Sequence, residues 1–354
     1  MLASVELENF RCIQRASIEL DPNGTGIVGP NGSGKTSLLE ALYFLGHGRS
    51  FRTGIRSRLL GPCEPHFRVV ATVNQRDRKI VCGAEFAEGK TRVRLAGENI
   101  SSISAIAEVL PVQVIDPGVH RLIEEGAARR RRLMDWGVFH VKHEFLQPWR
   151  RYQRALAQRN AALRVVTSEM LVRTWEGELT AASIDIDSAR SAYIRTLRPV
   201  FARVAGQLLG REATIAYRRG WEDGKTLQEA LDKSRDRDAR LKTSTVGPHR
   251  ADLLFSAEGH PARDRVSRGQ QKMLAAAFVL AQILVGAETM EQRTCLLLDD
   301  PAAELDVDNL GKLLAIIQSV PAQLVVTSLG DAGLSGIPIG RKFHVEQGCF
   351  TPML

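Results

Sequence analysis

Residues 29–36 read GPNGSGKT and fit the phosphate-loop pattern G-x-x-x-x-G-K-[ST]. An apolar stretch precedes this segment, and residues 37–44 follow it with helical spacing, which is the strand–loop–helix context that the motif requires. The glycines let the backbone wrap around phosphate oxygens with its N–H groups pointing inward, and the helix N-terminus adds its positive end. The chain is therefore expected to fold as an α/β nucleotide-binding protein.

The loop supplies the candidate ATP site, and each residue type suits its task. Lys35 is predicted to reach the β- and γ-phosphates as a catalytic group, and the Thr36 hydroxyl is predicted to ligate Mg²⁺. The candidate ATP-binding residues are Gly29, Pro30, Asn31, Gly32, Ser33, Gly34, Lys35 and Thr36.

A pair of carboxylates in the C-terminal third completes the predicted site. Residues 296–300 read LLLDD, a short apolar strand ending in two acids, which is the form of a Walker B element. Asp299 is predicted to hold the hydrated Mg²⁺, and Asp300 to act as the catalytic base that orients the attacking water. Gln113, in the segment PVQVIDP, is a further candidate for the metal site.

Two more segments resemble elements of ABC-type ATPases. Residues 267–272 (SRGQQK) resemble the ABC signature, with Ser267, Gly269 and Gln270 as its candidate residues. In that class the signature binds the γ-phosphate of ATP held by the opposite subunit, whereas an ordinary helix N-cap is the alternative interpretation. Residues 304–306 resemble the D-loop, with Asp306 as its candidate residue. The order of these elements indicates an ABC/SMC-type ATPase.

Several blocks resemble the RecF family of bacterial DNA-repair ATPases from end to end. They are Asn9-Phe10-Arg11, LGHGRSFR at residues 45–52, RRRLMD at 130–135, LAQRN at 156–160 and GPHRAD at 247–252. The resemblance implies an ATPase head built from both chain ends, with an antiparallel β subdomain suggested by the short runs between residues 67 and 100. The predicted parts are residues 1–101 and 237–354 for the head and residues 102–236 for an inserted, mostly helical lobe.

The resemblance also implies an activity. A RecF-like protein is expected to form an ATP-dependent homodimer on gapped DNA or single/double-strand junctions and to act with RecO and RecR in loading RecA. Two departures from the ABC pattern indicate slow hydrolysis, which DNA is expected to stimulate by promoting the dimer. Asp300 stands where most ABC proteins have Glu, and Thr327 lies where transporters often carry a histidine.

The charge balance is compatible with a polyanionic partner. Lys and Arg number 48 against 40 for Asp and Glu, which gives a net charge of +8. For each candidate arginine, the alternative to a DNA contact is a position on a solvated helix face or in an internal ion pair. His249 and Arg250 have an alternative interpretation as structural turn residues. The candidate DNA contacts are Arg49, Arg52, Arg129, Arg130, Arg131 and Arg132, with Arg150, Arg151, Arg154 and Arg159 in addition.

Other features indicate a soluble, cytoplasmic protein. The five cysteines form no CxxC pair, which favours free thiols, and the N-terminus lacks the pattern of a secretory signal. The longest apolar stretch, residues 273–287, is predicted to be a buried helix without a membrane partner. Two alternatives remain, a transport ATPase subunit and an ATPase governing a nuclease. The former requires a membrane partner, and the latter usually requires an appended metal-binding domain.

Overall fold

A computed structural model of the chain describes residues 1–75, 78–165, 169–290 and 293–353, without the side chain of residue 304. The chain divides into two compact units. The first joins both chain ends, Met1–Val119 with Met290–Leu354, and the second is the continuous segment His120–Thr289.

The described residues form fifteen strands and twelve α-helices. The strands are β1 (Leu2–Phe10), β2 (Ile13–Glu19), β3 (Gly24–Val28), β4 (His66–Gln75), β5 (Arg78–Ala87), β6 (Lys90–Leu95), β7 (Glu98–Ile100), β8 (Val112–Ile115), β9 (Ala213–Arg218), β10 (Asp252–Ala257), β11 (His260–Pro261), β12 (Thr294–Asp299), β13 (Ala322–Ser328), β14 (Arg341–Glu346) and β15 (Cys349–Met353). The helices are α1 (Lys35–His47), α2 (Ser104–Val109), α3 (Arg121–Glu124), α4 (Ala127–Val141), α5 (Leu146–Arg164), α6 (Glu169–Thr174), α7 (Glu176–Leu209), α8 (Leu227–Leu241), α9 (Ala262–Arg265), α10 (Arg268–Ala287), α11 (Pro301–Glu304) and α12 (Val307–Ser319).

The first unit contains two six-stranded sheets. One has the order β2-β1-β4-β5-β6-β7, and every neighbouring pair of strands in it is antiparallel. The other has the order β15-β14-β3-β13-β12-β8, in which only β15 runs antiparallel to its neighbour. The predicted α/β class and antiparallel subdomain are confirmed.

Helix α1 lies between these two sheets and is apolar around most of its circumference. Leu38, Leu42 and Phe44 are fully buried in one cluster with the inner faces of both sheets. Residues of β4 alternate between this cluster and the outer face, as expected for a sheet buried on one side. This packing fixes the N-terminus of α1 against the carboxyl ends of the parallel strands.

The second unit is mostly helical and contains the small sheet β11-β10-β9. Its longest helix, α7, packs against α5, β9 and α10. Helix α10 is long and apolar enough to cross a membrane by composition, but 78% of the relevant window is buried inside the protein. The prediction of a buried helix at residues 273–287 is therefore confirmed.

The boundaries of the units differ from those predicted at 101/102 and 236/237. Helix α2 and strand β8 contact α1, so the first unit continues to Val119. Helix α10 packs along α7, and the signature segment therefore lies in the second unit with the helices. Strands β8 and β9 were predicted as part of a helical stretch, since short buried runs carry no period that separates strand from helix.

Candidate nucleotide site

The phosphate loop joins the end of β3 to the start of α1, as predicted. A side chain at Gly29 would lie 2.2 Å from the carbonyl oxygen of Val345, so only glycine fits there. Gly34 has φ 117°, a backbone conformation that residues with a Cβ rarely adopt. The sequence of the loop therefore follows from close packing below it and from the turn into the helix.

Lys35 is held inside the loop by two backbone oxygens. Its Nζ donates to the carbonyl oxygens of Gly29, at 2.6 Å, and Pro30, at 2.9 Å. Burial lowers the pKa of Lys35, while the negative charges of Asp300 and Asp299 oppose that shift. The ammonium group and the two predicted carboxylates thus act on one another across the same site.

Ser33 presents a buried hydroxyl without a partner among the described residues. The residue is 4% exposed, and its Oγ makes no hydrogen bond there. An unsatisfied buried polar group costs about 1–3 kcal/mol, which a phosphate oxygen within reach would recover. The loop is consequently suited to an anion with several acceptor oxygens.

Asp299 and Thr327, at the carboxyl ends of neighbouring parallel strands, form a hydrogen-bonded row with Thr36 at the start of α1. The Thr36 hydroxyl donates to the carboxylate of Asp299 at 2.9 and 3.2 Å, and the Thr327 hydroxyl donates to the same carboxylate at 2.9 Å. Strand β13 lies between β3 and β12, and its register pairs Thr327 with Asp299. Thr327, considered from the sequence only as the position of an absent histidine, therefore orients Asp299.

Asp300 is directed away from the strand by its backbone. It has φ 47° and ψ 57°, in the left-handed region, and Pro301 then starts α11. Its N–H donates to the Thr327 hydroxyl at 3.0 Å. The turn separates the two adjacent carboxylates, so that Asp299 faces Thr36 and Asp300 occupies a different position near the loop.

Gln113 lies away from the candidate metal site, and that prediction is corrected. Its partner in the register is Leu296, three residues before Asp299, which corresponds to about 10 Å along a strand. Successive side chains also alternate between faces, so Gln113 shares the face of Leu296 rather than that of Asp299. The sequence of the segment PVQVIDP does not determine this register or the face on which Gln113 lies.

The signature segment begins α10 with a capping box. The Ser267 hydroxyl accepts from the backbone N–H of Gln270, and the Gln270 side chain accepts from the backbone N–H of Ser267. Ser267 and Gly269 are exposed, and a side chain at Gly269 would meet nothing within 4 Å. The N-cap alternative is therefore confirmed locally, and it leaves the helix N-terminus accessible.

Asp306 caps α12 in a similar manner. Its carboxylate accepts from the backbone N–H of Asn309 at 2.9 Å and from the Asn309 side chain at 2.6 Å. These hydrogen bonds lower the pKa of Asp306, so the residue is ionised at neutral pH. The adjacent Val307 is 86% exposed, which makes the predicted D-loop an accessible surface.

The N-terminal hairpin is tied to the phosphate-loop helix through a buried carboxylate. Glu40 of α1 is fully buried and accepts a bidentate pair from Arg11 at 2.8 and 2.9 Å. The Ser50 hydroxyl also donates to Glu40, and the Arg52 guanidinium lies 3.8 Å from it. Arg11 and Ser50 thus have an evident structural task, and Arg52 is half-exposed beside them.

Several candidate DNA contacts have internal partners. Arg159 is completely buried and bound to Glu176 and Asp238, and Arg130 binds Asp252 at 2.8 Å with 13% of its side chain exposed. Arg129, which is partly buried, pairs with Glu125 at 2.8 Å. Arg159 and Arg130 are therefore corrected from DNA contacts to structural ion pairs.

The RecF-like blocks of the second unit meet in one buried polar network. Asn160 accepts from both the backbone N–H and the hydroxyl of Ser244, while Arg190 binds Asp135 and the Pro248 carbonyl. His249 contacts the hydroxyl of Tyr152 at 2.6 Å and the carbonyl of Ser244 at 3.0 Å. A carbonyl only accepts, so the His249 Nε2 carries the proton and its Nδ1 accepts from Tyr152.

Acid is expected to destabilise the protein through His249. Burial lowers its pKa to about 4, whereas an unfolded histidine titrates near pH ~6.5. The unfolded chain therefore binds the extra proton first, and the free energy of unfolding should fall by on the order of 2–3 kcal/mol between these pH values. Denaturant unfolding from pH 7 to pH 4 measures this. His249→Gln should flatten that dependence, while removal of the exposed His260 should not.

The phosphate loop and the Thr36–Asp299 contact lie at the carboxyl ends of the parallel strands. Together with that sheet, they define a P-loop ATPase head of the SMC type. The family profile described as the RecF/RecN/SMC N-terminal domain matches residues 1–338. The DNA replication and repair protein RecF of Shewanella baltica is 35% identical over 99% of each chain. The chain belongs to the RecF family.

Solved structures share the fold. The recombination mediator protein RecF with ATP, from the RecFOR pathway, has a TM-score of 0.90 at 23% identity, covering 100% of this chain and 97% of that one. An Smc head bound to the C-terminal winged-helix domain of ScpA has a TM-score of 0.61 at 17% identity, covering 99% and 96%. The fold is thus that of an SMC-type head, with greater likeness to RecF.

Proposed function

We propose that this protein binds and slowly hydrolyses ATP to control its assembly on DNA during replication-associated repair. Its family membership supports the process, and the row of Thr36, Asp299 and Thr327 beside the phosphate loop supports the chemistry. A solved structure with this fold is that of RecF with ATP, which supports ATP binding at the candidate loop Gly29–Thr36. We also propose that the protein acts in the cytoplasm.

Mg²⁺ would be held by Thr36 and Asp299. Their oxygens already lie 2.9 Å apart, and hydroxyl, carboxylate, water and phosphate oxygens are the ligands that Mg²⁺ prefers. The ion would neutralise charge on the β- and γ-phosphates. Lys35 would bind the same phosphates, and Asp300 would orient the attacking water from its separate position.

Hydrolysis is proposed to be slow because of the residues that flank the site. Asp300 has one methylene less than glutamate, so a water held by it lies nearer the backbone. A displacement of about 1 Å can cost on the order of a hundredfold in rate. Thr327 is committed to Asp299 and to the N–H of Asp300 and supplies no imidazole. ATP would then act more as a clamp than as a motor.

The clamp is proposed to be a homodimer in which Ser267 and Gly269 of one subunit bind the γ-phosphate held by the other. The exposed N-terminus of α10 supports this, since backbone N–H groups and the positive end of a helix bind anions. Gln270 would fix Ser267 through the capping box, and the exposed Asp306 segment would lie at the same subunit interface.

Ser267→Arg should leave ATP binding by the monomer unchanged and abolish most ATP-dependent dimerisation, because a bulky cation would occupy the anion position. Sedimentation with a non-hydrolysable ATP analogue measures the dimer fraction. Ser101→Arg, at an exposed position between β7 and α2, is a control for an added charge. An undiminished dimer fraction in Ser267→Arg contradicts the shared site.

The proposed substrate is gapped DNA or a single/double-strand junction, with RecO and RecR as partners in loading RecA. The solved structure of RecF with ATP is assigned to the RecFOR pathway, whose name includes RecO and RecR. The net charge of +8 suits a polyanion such as DNA. Binding to gapped, duplex and single-stranded DNA, each with and without ATP, tests the preference. Equal affinity for all three with no ATP effect would contradict it.

A further inference from the structure

The turn at residues 244–252, here called the arginine turn, has more positive than negative partners. Four carboxylates neutralise the arginines around it only in part, since Asp252 is shared between two guanidinium groups. These carboxylates belong to Asp135, Glu176, Asp238 and Asp252. Within the part of the chain that the structure describes, the guanidinium groups that contact or belong to this turn are those of Arg130, Arg131, Arg159, Arg190, Arg218 and Arg250.

Arg131 and Arg250 are the members without a carboxylate partner among the described residues. Arg131 donates to the carbonyl oxygen of Ala251 at 2.6 Å, and Arg250 donates to that of Ser244 at 3.0 and 3.3 Å. A guanidinium carries five N–H donors, so each group keeps donors beyond those used by the backbone. Neither guanidinium is hydrogen-bonded to a carboxylate among the described residues, although Asp252 and Asp135 lie near Arg131.

The exposure of the two residues permits contact with a ligand. Arg250 is exposed and Arg131 is half-buried, whereas Arg159 and Arg190 are fully buried. Burial lowers the pKa of Arg131, and the charges of Arg190 and Arg250 lower it further, while the carboxylates of Asp252 and Asp135 oppose this shift. An anion at this turn would relieve the mutual repulsion of the arginines.

The turn itself is held rigidly. Tyr152 and His249 are joined by a hydrogen bond of 2.6 Å, and Asp238 accepts from the N–H and hydroxyl of Thr245 at 2.9 and 2.6 Å. The backbone oxygens that orient Arg131 and Arg250 are therefore fixed before any ligand arrives. Less conformational entropy is lost on binding when the binding groups are already positioned.

We propose that Arg131 and Arg250 form a phosphate-binding site at the arginine turn that contacts the backbone of DNA. The geometry distinguishes them from Arg130, the chain neighbour of Arg131, because Arg130 binds Asp252. Guanidinium groups suit phosphodiester oxygens because their donors are planar and permanently charged. This site rests on the proposed DNA-binding function and gives it a location in the second unit.

The double variant Arg131→Gln with Arg250→Gln should bind gapped DNA more weakly, with a reduced salt dependence. Each lost phosphate contact removes about 0.9 from the log–log slope, so the affinity should fall about 60-fold at ~0.1 M salt and converge with the parent near ~1 M. Fluorescence anisotropy over a salt series measures both quantities. An unchanged slope would overturn the site.

A matched control removes two positive charges elsewhere on the second unit. Arg173 and Lys233 are exposed and paired with glutamates, so Arg173→Gln with Lys233→Gln lowers the net charge equally without touching the arginine turn. The slope for this control should stay at the parent value. If the control loses as much slope as the test variant, the effect is general charge, and the specific site is rejected.

Chemical protection tests the unaltered protein and does not depend on how the variants fold. Gapped DNA should protect Arg131 and Arg250 from phenylglyoxal, while Arg173 should react at its usual rate. Protection by inorganic phosphate without protection by DNA would overturn the DNA assignment. If the parent binds no DNA at all, the proposed function fails; if it binds DNA with both arginines fully reactive, only this site fails.

Discussion

Lys35→Ala is expected to reduce ATP binding by on the order of a hundredfold or more, since charge-assisted hydrogen bonds contribute about 1.5–3 kcal/mol each. Lys35 donates to the Gly29 and Pro30 oxygens and lies under the influence of both acids at the site. Its removal takes the cation from the phosphates and leaves Asp299 and Asp300 uncompensated. Isothermal titration with ATP and Mg²⁺ measures the affinity.

Two comparisons separate the loss of charge from a loss of folding. Lys35→Arg keeps a cation but replaces a compact ammonium with a planar fork, so it should recover only part of the affinity. Thermal unfolding without nucleotide should show that Lys35→Ala remains folded. Parent-like ATP affinity and dimerisation in folded Lys35→Ala would show that Lys35 does not bind the phosphates.

Asp299→Asn and Asp300→Asn are expected to fail at different steps. Asp300→Asn should retain Mg²⁺-dependent ATP binding and lower hydrolysis by roughly 10²–10⁴-fold, the usual contribution of a positioned general base. Its ATP-bound dimer should therefore persist longer on DNA. Asp299→Asn should weaken Mg²⁺-dependent ATP binding itself, because it removes charge from the row with Thr36 and Thr327.

The two variants serve as controls for each other, since each removes one negative charge from adjacent positions. Single-turnover hydrolysis and dimer lifetime on gapped DNA, at saturating and limiting Mg²⁺, distinguish the steps. Hydrolysis at the parent rate in Asp300→Asn would exclude Asp300 as the base. Glu304, the next carboxylate to test, has a side chain outside the part that the structure describes.

The phosphate loop and the paired acids could be predicted from sequence because their chemistry is contained in short segments. Gly29 and Lys35 belong to one contiguous motif, and Asp299 and Asp300 directly follow a short apolar run, which together have the form of a Walker B element. The role of Thr327 and the position of Gln113 depend on strand register instead. Register arises from pairing between distant segments, which no local pattern records.

Charge roles were harder to predict for a related reason. Arg130 and Arg131 are adjacent in a run of four arginines, yet one binds Asp252 and the other binds only a carbonyl among the described residues. Their difference comes from helix geometry and from the fold of a segment 120 residues away. The same holds for Arg159, whose burial requires partners from α7 and α8.

The first unit requires both ends of the chain, with consequences for its synthesis on the ribosome. Leu2 and Gln323 exchange two hydrogen bonds across 321 residues, and β3 pairs with β13. At about 5–20 residues per second, the second unit takes roughly 10–30 s to emerge between the two halves. During that interval the phosphate loop is made, but the strand that carries Asp299 has not yet been translated. A nascent chain therefore acquires its nucleotide site only as translation finishes, and prematurely terminated products lack that site.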